Sequence, residues 1–262
     1  MTLHEDRGRA ESFGGAAERY DRSRPDYPAA LFDAVLGDDA GALRVLDVGC
    51  GTGIAARQMV ARGARVLGIE VDARMAEVAR ARGTEVEVTP FEEWDPRDRR
   101  FDRVTAAQAW HWVDPVRGAD VAATALEVGG RLCVWWNVAQ APPALRALVN
   151  PVYARLAAEA HAFSVLLGST ARQTPFGVEA ATAALETSPH FSAPAVTTLA
   201  WSRRYTRDEW LDQLPTHSDH ARLSPEVLGH LLDAVGEAID SLGGGFEMAY
   251  TTTLVSAERR AP

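Results

Sequence analysis

The stretch VLDVGCGTG, from Val45 to Gly53, joins a short apolar run to three glycines at alternate positions. Branched aliphatic residues favour β-structure, and a nearly continuous apolar run is typical of a strand that is covered on both faces. Glycine adopts positive φ at little cost and lets the backbone come close to a ligand. The stretch therefore predicts a buried parallel strand that leads into a ligand-binding loop.

Beyond this loop, short apolar segments alternate with amphipathic helices. The predicted strands are Leu43–Val48, Arg65–Glu70, Glu85–Val88, Phe101–Ala107 and Arg131–Asn137. Gly63 and Gly83 are placed to end the intervening helices, while Asp72 and Asp114, the latter followed by Pro115, are placed to begin them. This repetition predicts a parallel sheet with helices on both faces.

The pattern changes after residue 138. Ala141–Leu185 is predicted to be mostly helical, and Ala195–Trp201 and Phe246–Val255 are predicted to pair as antiparallel strands. The predicted fold is a doubly wound, mostly parallel seven-stranded sheet with an antiparallel edge pair and a mainly helical cap insertion. We divide the chain into an N-terminal helical segment that closes the site (1–42), the binding core (43–138), the cap (139–193) and the C-terminal edge strands with a helix (194–262).

Composition narrows the function classes. The chain has 262 residues, of which 47 % are hydrophobic, and its formal net charge is -9. An acidic surface disfavours contact with nucleic-acid phosphates. The polar N-terminus and the lack of an apolar run of roughly 20 residues disfavour a secretion signal and a membrane span. Its two cysteines form no disulfide framework. We therefore expect a cytoplasmic protein that binds neither nucleic acid nor membrane.

The residues around the loop indicate what it binds. A dinucleotide-binding loop needs a third glycine where Ile54 stands. Asp47 would repel a pyrophosphate but suits a cationic ligand. Glu70, at the end of the second strand, can accept both hydroxyls of a ribose, as in adenosine-containing cofactors. S-adenosylmethionine, with its ribose, sulfonium and ammonium groups, meets these requirements.

Several segments also resemble a known family. VLDVGCGTG followed by LGIEVD (Leu67–Asp72) resembles the class I, Rossmann-like S-adenosylmethionine-dependent methyltransferases. FDRVTAAQAWHWVD (Phe101–Asp114) and AERYDRSRPDYP (Ala17–Pro28) resemble the small-molecule branch with trans-aconitate-methyltransferase-like and methyltransferase type 11 domain proteins. The resemblance covers roughly residues 13–137. It implies this fold, this cofactor and transfer of a methyl group.

The resemblance also implies a role for each matching residue. The cofactor-binding residues that it implies are Tyr20, Arg24, Asp47, Gly49, Gly51, Gly53, Glu70, Val71, Phe91, Glu92, Gln108 and Ala109. The glycines and Asp47 would serve the methionine part, and Glu70 the ribose. The adenine would lie against Val71, Phe91 and Glu92, and the sulfonium region near Gln108 and Ala109.

Some of these residues have a second interpretation. Tyr20 and Arg24 would close the site from the N-terminal side, with Arg24 as a carboxylate partner, but they are also compatible with a packing aromatic and a surface charge. Phe91 is equally compatible with a core position.

His111 is the candidate catalytic residue, because it follows the fourth strand and an imidazole can act as a base near neutral pH. The alternative is a structural, hydrogen-bonded histidine. His217 and His220 are more typical of a helix-start cluster, and their spacing lacks a third metal ligand, so we expect no metal. Four tryptophans near the ends of the fourth and fifth strands could form an acceptor wall or belong to the core.

The sequence thus predicts a methyltransferase acting on a small-molecule acceptor, with O-methylation slightly favoured. C- or N-methylation of a natural product, and a non-catalytic protein that binds S-adenosylmethionine or its product S-adenosylhomocysteine, remain alternatives. A nicotinamide oxidoreductase is disfavoured by Ile54 and Asp47. The protein is expected to be a monomer or a homodimer.

Overall fold

A computed structural model describes residues 11–37, 40–160 and 177–261 of the chain. Its seven strands form one sheet in the order β3-β2-β1-β4-β5-β7-β6. The strands are β1 (Arg44–Val48), β2 (Arg65–Glu70), β3 (Glu85–Val88), β4 (Phe101–Ala107), β5 (Leu126–Gln140), β6 (Ala195–Thr206) and β7 (Gly245–Glu258). The order and directions of these strands confirm the predicted fold class.

The strand directions bring the carboxyl ends of several strands to one edge of the sheet. The five strands from β1 to β5 run parallel, and β7 pairs antiparallel with β5. Because β6 is in turn antiparallel to β7, it runs in the same direction as β1. The carboxyl ends of β1, β2, β4, β5 and β6 therefore share one edge, which we call the carboxyl edge. Ligands of doubly wound sheets bind at this edge.

Nine α-helices lie in the described part of the chain. They are α1 (Ala17–Ser23), α2 (Ala29–Leu36), α3 (Ile54–Val60), α4 (Ala73–Ala81), α5 (Pro115–Ala125), α6 (Pro143–Ala160), α7 (Val178–Thr187), α8 (Arg207–Gln213) and α9 (Pro225–Ser241). Two begin as the sequence indicates. The Asp72 carboxylate accepts a hydrogen bond from the Arg74 N–H, and the Asp114 carboxylate accepts from Val116 and Arg117.

The last three strands are longer than their sequence segments predict. Strand β5 begins at Leu126 rather than Arg131, and β6 continues to Thr206. Gly129 has a φ of 81° inside β5, where the register with β4 shifts between Phe101 and Arg103. Gly129 thus forms a bulge within a strand, because Leu126 already pairs with Phe101, and Gly129 and Gly130 form backbone hydrogen bonds with Arg259.

The core lies on both faces of the sheet, with a separate cluster near its β6 edge. Trp110, Trp135 and Trp136 are almost completely buried, which places three of the four tryptophans in the core. The separate cluster joins α6, α8 and α9 to the outer strands through buried aromatic residues, among them Tyr205, Trp210 and Phe246. In the part of the chain that the structure describes, no helix is both long and apolar enough to cross a membrane.

Candidate active site

Left-handed glycines form the loop after β1. Gly49, Gly51 and Gly53 have φ values of 62°, 56° and 84°, a region that side chains rarely adopt. A Cβ on Gly49 would lie 2.5 Å from the Cβ of Ala109, the residue that follows the end of β4 by two positions. The loop therefore packs directly against the segment after β4. All three glycines are required by backbone conformation, and Gly49 is also required by space.

Glu70 lies beside this loop. One carboxylate oxygen accepts a hydrogen bond from the Gly51 N–H at 2.8 Å. The other accepts from the backbone N–H groups of Val71 and Asp72, both at 2.9 Å. Burial raises the pKa of Glu70, and these backbone donors oppose that shift. Three donors use part of the accepting capacity of a carboxylate, so capacity remains for a ligand hydroxyl.

Asp47 is more completely buried than Glu70. Its side chain is fully buried in β1, and one oxygen accepts from the Thr105 hydroxyl at 2.7 Å, while the other has no hydrogen-bond partner in the described part of the protein. Burial raises the pKa of Asp47 to about 7, against a lowering by Thr105 and a further raise by the charge of Glu70. A cation near the loop would favour the ionised form.

Helix α1 lies across the carboxyl edge. Its Asp21 pairs with Arg57 of α3 at 2.7 Å and with Arg82, at the end of α4, at 3.3 Å. At the other end of the edge, the Arg24 guanidinium donates to the hydroxyl and the carbonyl of Thr216, which follows α8. The same guanidinium stacks 4.8 Å from the ring centre of Tyr20.

The residues expected at the adenine end have other contacts. The Phe91 ring is 3 % exposed and packs near Trp94 and Trp110, so its side chain belongs to the core cluster. The Glu92 carboxylate accepts a hydrogen bond from the Asp114 N–H. Val71, by contrast, is exposed. Of these three side chains, Val71 is the one that is free to cover a planar ligand.

Gln108 has a conformation that the sequence does not reveal. Its φ is 57° although it is not a glycine, and its N–H donates to the carbonyl of Trp135. Strained backbone of this kind concentrates at functional sites. The side-chain amide donates to the Asn137 carbonyl at 3.4 Å, which is a long hydrogen bond. Ala109 is buried against the loop.

His111 is held by a residue from the next strand. Its Nδ1 accepts a hydrogen bond from the indole N–H of Trp136 at 3.1 Å. In the neutral ring the proton is then on Nε2, so Nδ1 acts as the acceptor and Nε2 as the donor. To remove a proton from an acceptor, the ring would have to release Trp136. The catalytic role of His111 stays a prediction.

The structure also gathers residues that the sequence did not connect. His217 and His220 have ring centres 5.7 Å apart, and the Tyr153 hydroxyl is 3.0 Å from Nε2 of His220. Burial, and then the charge of Arg24, lowers the pKa of both histidines, that of His220 to about 4. Within the described ranges no group of three or more His, Cys, Asp or Glu side chains is suited to a metal.

The central segment of the chain matches the model of a known protein family. The family model Methyltransf_11, described as a methyltransferase domain, matches residues 46–134. This range contains the glycine loop, Glu70 and β4. The part of the chain that forms the site around the loop is thus the part that matches a methyltransferase domain.

Curated relatives are similar over a comparable length. An uncharacterized methyltransferase of Mycobacterium tuberculosis is 42 % identical over 128 residues, which are 48 % of this chain and 52 % of the relative. A ubiquinone biosynthesis O-methyltransferase of Alkalilimnicola ehrlichii is 37 % identical over 117 residues, 42 % of this chain and 45 % of the relative. The chain therefore spans about half the length of the curated relatives that it matches.

Solved structures share the fold over most of the chain. A candidate type II methyltransferase from Anaeromyxobacter dehalogenans has a TM-score of 0.63 at 22 % identity, covering 90 % of this chain and 97 % of its own. Phosphoethanolamine N-methyltransferase 2 of Haemonchus contortus, solved with S-adenosyl-L-methionine, has a TM-score of 0.52 at 16 % identity and covers 95 % and 57 %. At these identities the likeness shows the fold.

Proposed function

Since residues 46–134 match a methyltransferase domain with the class I methyltransferase fold, we propose that the chain is an S-adenosylmethionine-dependent enzyme that methylates a small molecule. The observation that carries the proposal is the position of the glycine loop, between the buried Asp47 and the Glu70 carboxylate that accepts from Gly51. Similarity to a fold solved with S-adenosyl-L-methionine supports it.

The residues present fit this cofactor. In the described structure, neither Asp47 nor Glu70 forms an ion pair with a cationic side chain, and one oxygen of Asp47 has no partner. Two carboxylates beside a loop of open backbone suit a ligand with ammonium and sulfonium charges and a ribose. Asp47 would favour the ammonium, Glu70 would accept from the ribose, and Val71 would cover the adenine.

When bound, S-adenosylmethionine supplies a methyl group that its sulfonium already activates. The chain is then left with alignment of the acceptor and exclusion of water. We assign closure of the site to the N-terminal segment 1–42, because α1 already crosses the carboxyl edge between Arg57 and Thr216. Residues 1–10 and 38–39 of this segment lie outside the described part of the chain. The predicted cap, residues 139–193, would cover the acceptor side; its residues 161–176 lie outside the described part of the chain.

We propose an oxygen as the methyl acceptor. An oxygen that is already anionic needs no base, and the Nδ1 of His111 is engaged by Trp136. The O-methyltransferase among the relatives supports this choice. His111 would act as a base only for a neutral hydroxyl.

Calorimetric titration with S-adenosylhomocysteine tests the cofactor site. Glu70→Gln keeps the shape but removes the charge, so we expect affinity to fall by ~10- to 100-fold, the scale of a charged hydrogen bond. Glu87→Gln is the matched control. Glu87 lies on the neighbouring strand β3, and its carboxylate is bound by Trp94 and Arg99. The affinity of this variant for S-adenosylhomocysteine should not change. Stabilisation by NAD and not by S-adenosylmethionine would contradict the proposal.

The role of His111 is tested by the pH dependence of methyl transfer from labelled S-adenosylmethionine. For an anionic oxygen acceptor, His111→Ala should leave kcat within a few-fold of the parent. A loss of ~100-fold or more, the usual scale of base catalysis, would make His111 the base. Trp136→Phe separates the cases, because it frees Nδ1 and should then alter the pH profile.

A further inference from the structure

A second polar cluster lies on the carboxyl edge, on the half away from β2. It comprises Arg24, Tyr153, Gln213, His217 and His220. Tyr153 belongs to α6, which follows β5, while Gln213, His217 and His220 belong to or follow α8 after β6. Arg24 comes from the end of α1. The strand order places this cluster beside the β5–β7–β6 part of the sheet, whereas the glycine loop follows β1.

Arg24 differs from the other arginines around α1. Arg19 and Arg22 both pair with Asp212, and Arg57 pairs with Asp21. Arg24 is half-buried, and its hydrogen bonds go to the uncharged oxygens of Thr216. Within residues 11–37, 40–160 and 177–261 it forms no ion pair with a carboxylate. A partly buried guanidinium with neutral partners favours an anion.

Two histidines of this cluster lie within range of the charge of Arg24. His220 is fully buried, and its pKa, like that of His217, is lowered by burial and by Arg24. Both rings are therefore neutral near pH 7 and can each donate one N–H. Tyr153, which contacts His220, is protonated at that pH because burial raises its pKa.

Buried polar atoms of this cluster and of the neighbouring Trp210 have no partner within the described residues. Nε2 of His217 accepts no hydrogen bond and donates none, and neither do Nε1 of Trp210 and Oε1 of Gln213. Trp210 and Gln213 are 1 % and 2 % exposed, and the rings of Trp210 and His217 are 6.3 Å apart. Two of these atoms belong to N–H groups that can donate, which is what an oxyanion requires.

We propose that this cluster binds an oxyanion, a carboxylate or phosphate group, carried by the methyl acceptor. Arg24 provides the charge, and His217 provides a neutral donor beside it. The proposal rests on the proposed function and names its substrate class: an anionic small molecule. The methionine carboxylate of the cofactor has the same chemistry, but the histidines and Tyr153 lie on elements that follow β5 and β6, on the acceptor side.

Long-range ¹H–¹⁵N spectra of the histidine rings test the site directly. Acetate and inorganic phosphate are the probes, with acetamide as the neutral control, each with and without S-adenosylhomocysteine. An anion beside the rings should raise the pKa values of His217 and His220 by about one unit, while the exposed His230 should not respond. If both anions leave His217 and His220 unchanged, the proposal is wrong.

The cofactor arm separates the two proposals. If S-adenosylhomocysteine binds and the anions still act on the histidines, both stand. If S-adenosylhomocysteine alone shifts these rings and blocks acetate, the carboxylate bound is that of the cofactor, which overturns the assignment to the acceptor. If it does not bind while the anions do, the oxyanion site remains and the proposed function fails.

Arg24→Gln and Arg22→Gln form a matched pair, because both residues attach the same helix to the region of α8. Arg24→Gln should weaken the anion response by ~10-fold or more, and Arg22→Gln should not change it. If both variants weaken the anion response equally, the response depends on the attachment of α1 and not on the charge of Arg24, which contradicts the proposal. If Arg24→Gln does not fold, His217→Asn carries the same test, because Thr216 keeps its bonds to Arg24.

Discussion

The contact between Gly49 and Ala109 ties the binding loop to the segment after β4. Gly49 combines a φ of 62° with a methyl group 2.5 Å from the place of its missing Cβ. Gly83 has a φ of 91° but open space around it. Substitutions at these two glycines can therefore distinguish the free-energy cost of a left-handed backbone from that of a steric clash.

Alanine substitution at these positions measures both costs. Gly83→Ala should lower the free energy of unfolding by ~1 kcal/mol for the left-handed conformation alone. Gly49→Ala should lose that amount and ~1–3 kcal/mol more, because the Ala109 methyl cannot move out of the way as a flexible side chain could. Urea unfolding gives both values. Equal losses would mean that the loop can shift away from Ala109.

Asp47 makes stability depend on pH. Because its pKa is raised from 3.8 to about 7 in the folded protein, the folded state holds a proton that the unfolded chain has released between these values. Its stabilising contribution is complete below pH ~4 and is lost as the pH rises through 7. We expect Asp47→Asn to reduce this fall, measured by urea unfolding of the ligand-free protein between pH ~5 and ~8.

Glu87 is a control whose pKa is shifted in the opposite direction. Its pKa is lowered, chiefly by its hydrogen bond with Arg99, so its contribution is present at neutral pH and is lost as the pH falls. Glu87→Gln should leave the slope above pH ~5 unchanged. If Asp47→Asn also leaves it unchanged, Asp47 is ionised in the folded protein and its burial is not costly.

Helix α5 shows how a local signal specifies an element. Asp114 accepts from two backbone N–H groups at the start of the helix, and Pro115 occupies its first turn. Asp114→Ala should destabilise the protein by ~1 kcal/mol, the usual loss for such a cap. Asp120, exposed in the middle of α5, provides the control: Asp120→Ala should be neutral or slightly stabilising in thermal unfolding. Similar losses at both positions would contradict the capping role.

Strands β2, β3 and β4 begin and end where the sequence predicts, since each is a short segment with residues that favour β-structure. The extent of β5 and β6 was underestimated, because it depends on pairing with β7, more than a hundred residues after β5 begins. The bonds of Glu70 to its neighbours, of His111 to Trp136 and of His220 to Tyr153 could not be predicted either. They depend on side-chain geometry or on distant partners, neither of which periodicity encodes.

The N-terminal helix joins the two halves of the carboxyl edge through ion pairs of different burial. Asp21 has a side chain that is 6 % exposed and contacts Arg57 and Arg82 on the β1–β2 half. Asp212, with a side chain that is 30 % exposed, contacts Arg19 and Arg22 from the β6 side. Attachment on the first half should therefore resist salt, whereas attachment on the second should be screened.

Neutral variants of the two aspartates test this asymmetry. Asp21→Asn leaves Arg57 beside a buried amide and should destabilise the protein by ~2–4 kcal/mol, with little change when salt is added. Asp212→Asn should lose ~0.5 kcal/mol at low ionic strength and almost nothing at 1 M salt, a concentration at which the Debye length is ~3 Å. Unfolding in urea, with and without added chloride, measures both. If the two losses are equal and equally screened, the apolar face of α1 holds the helix in place and the charge of Asp21 does not.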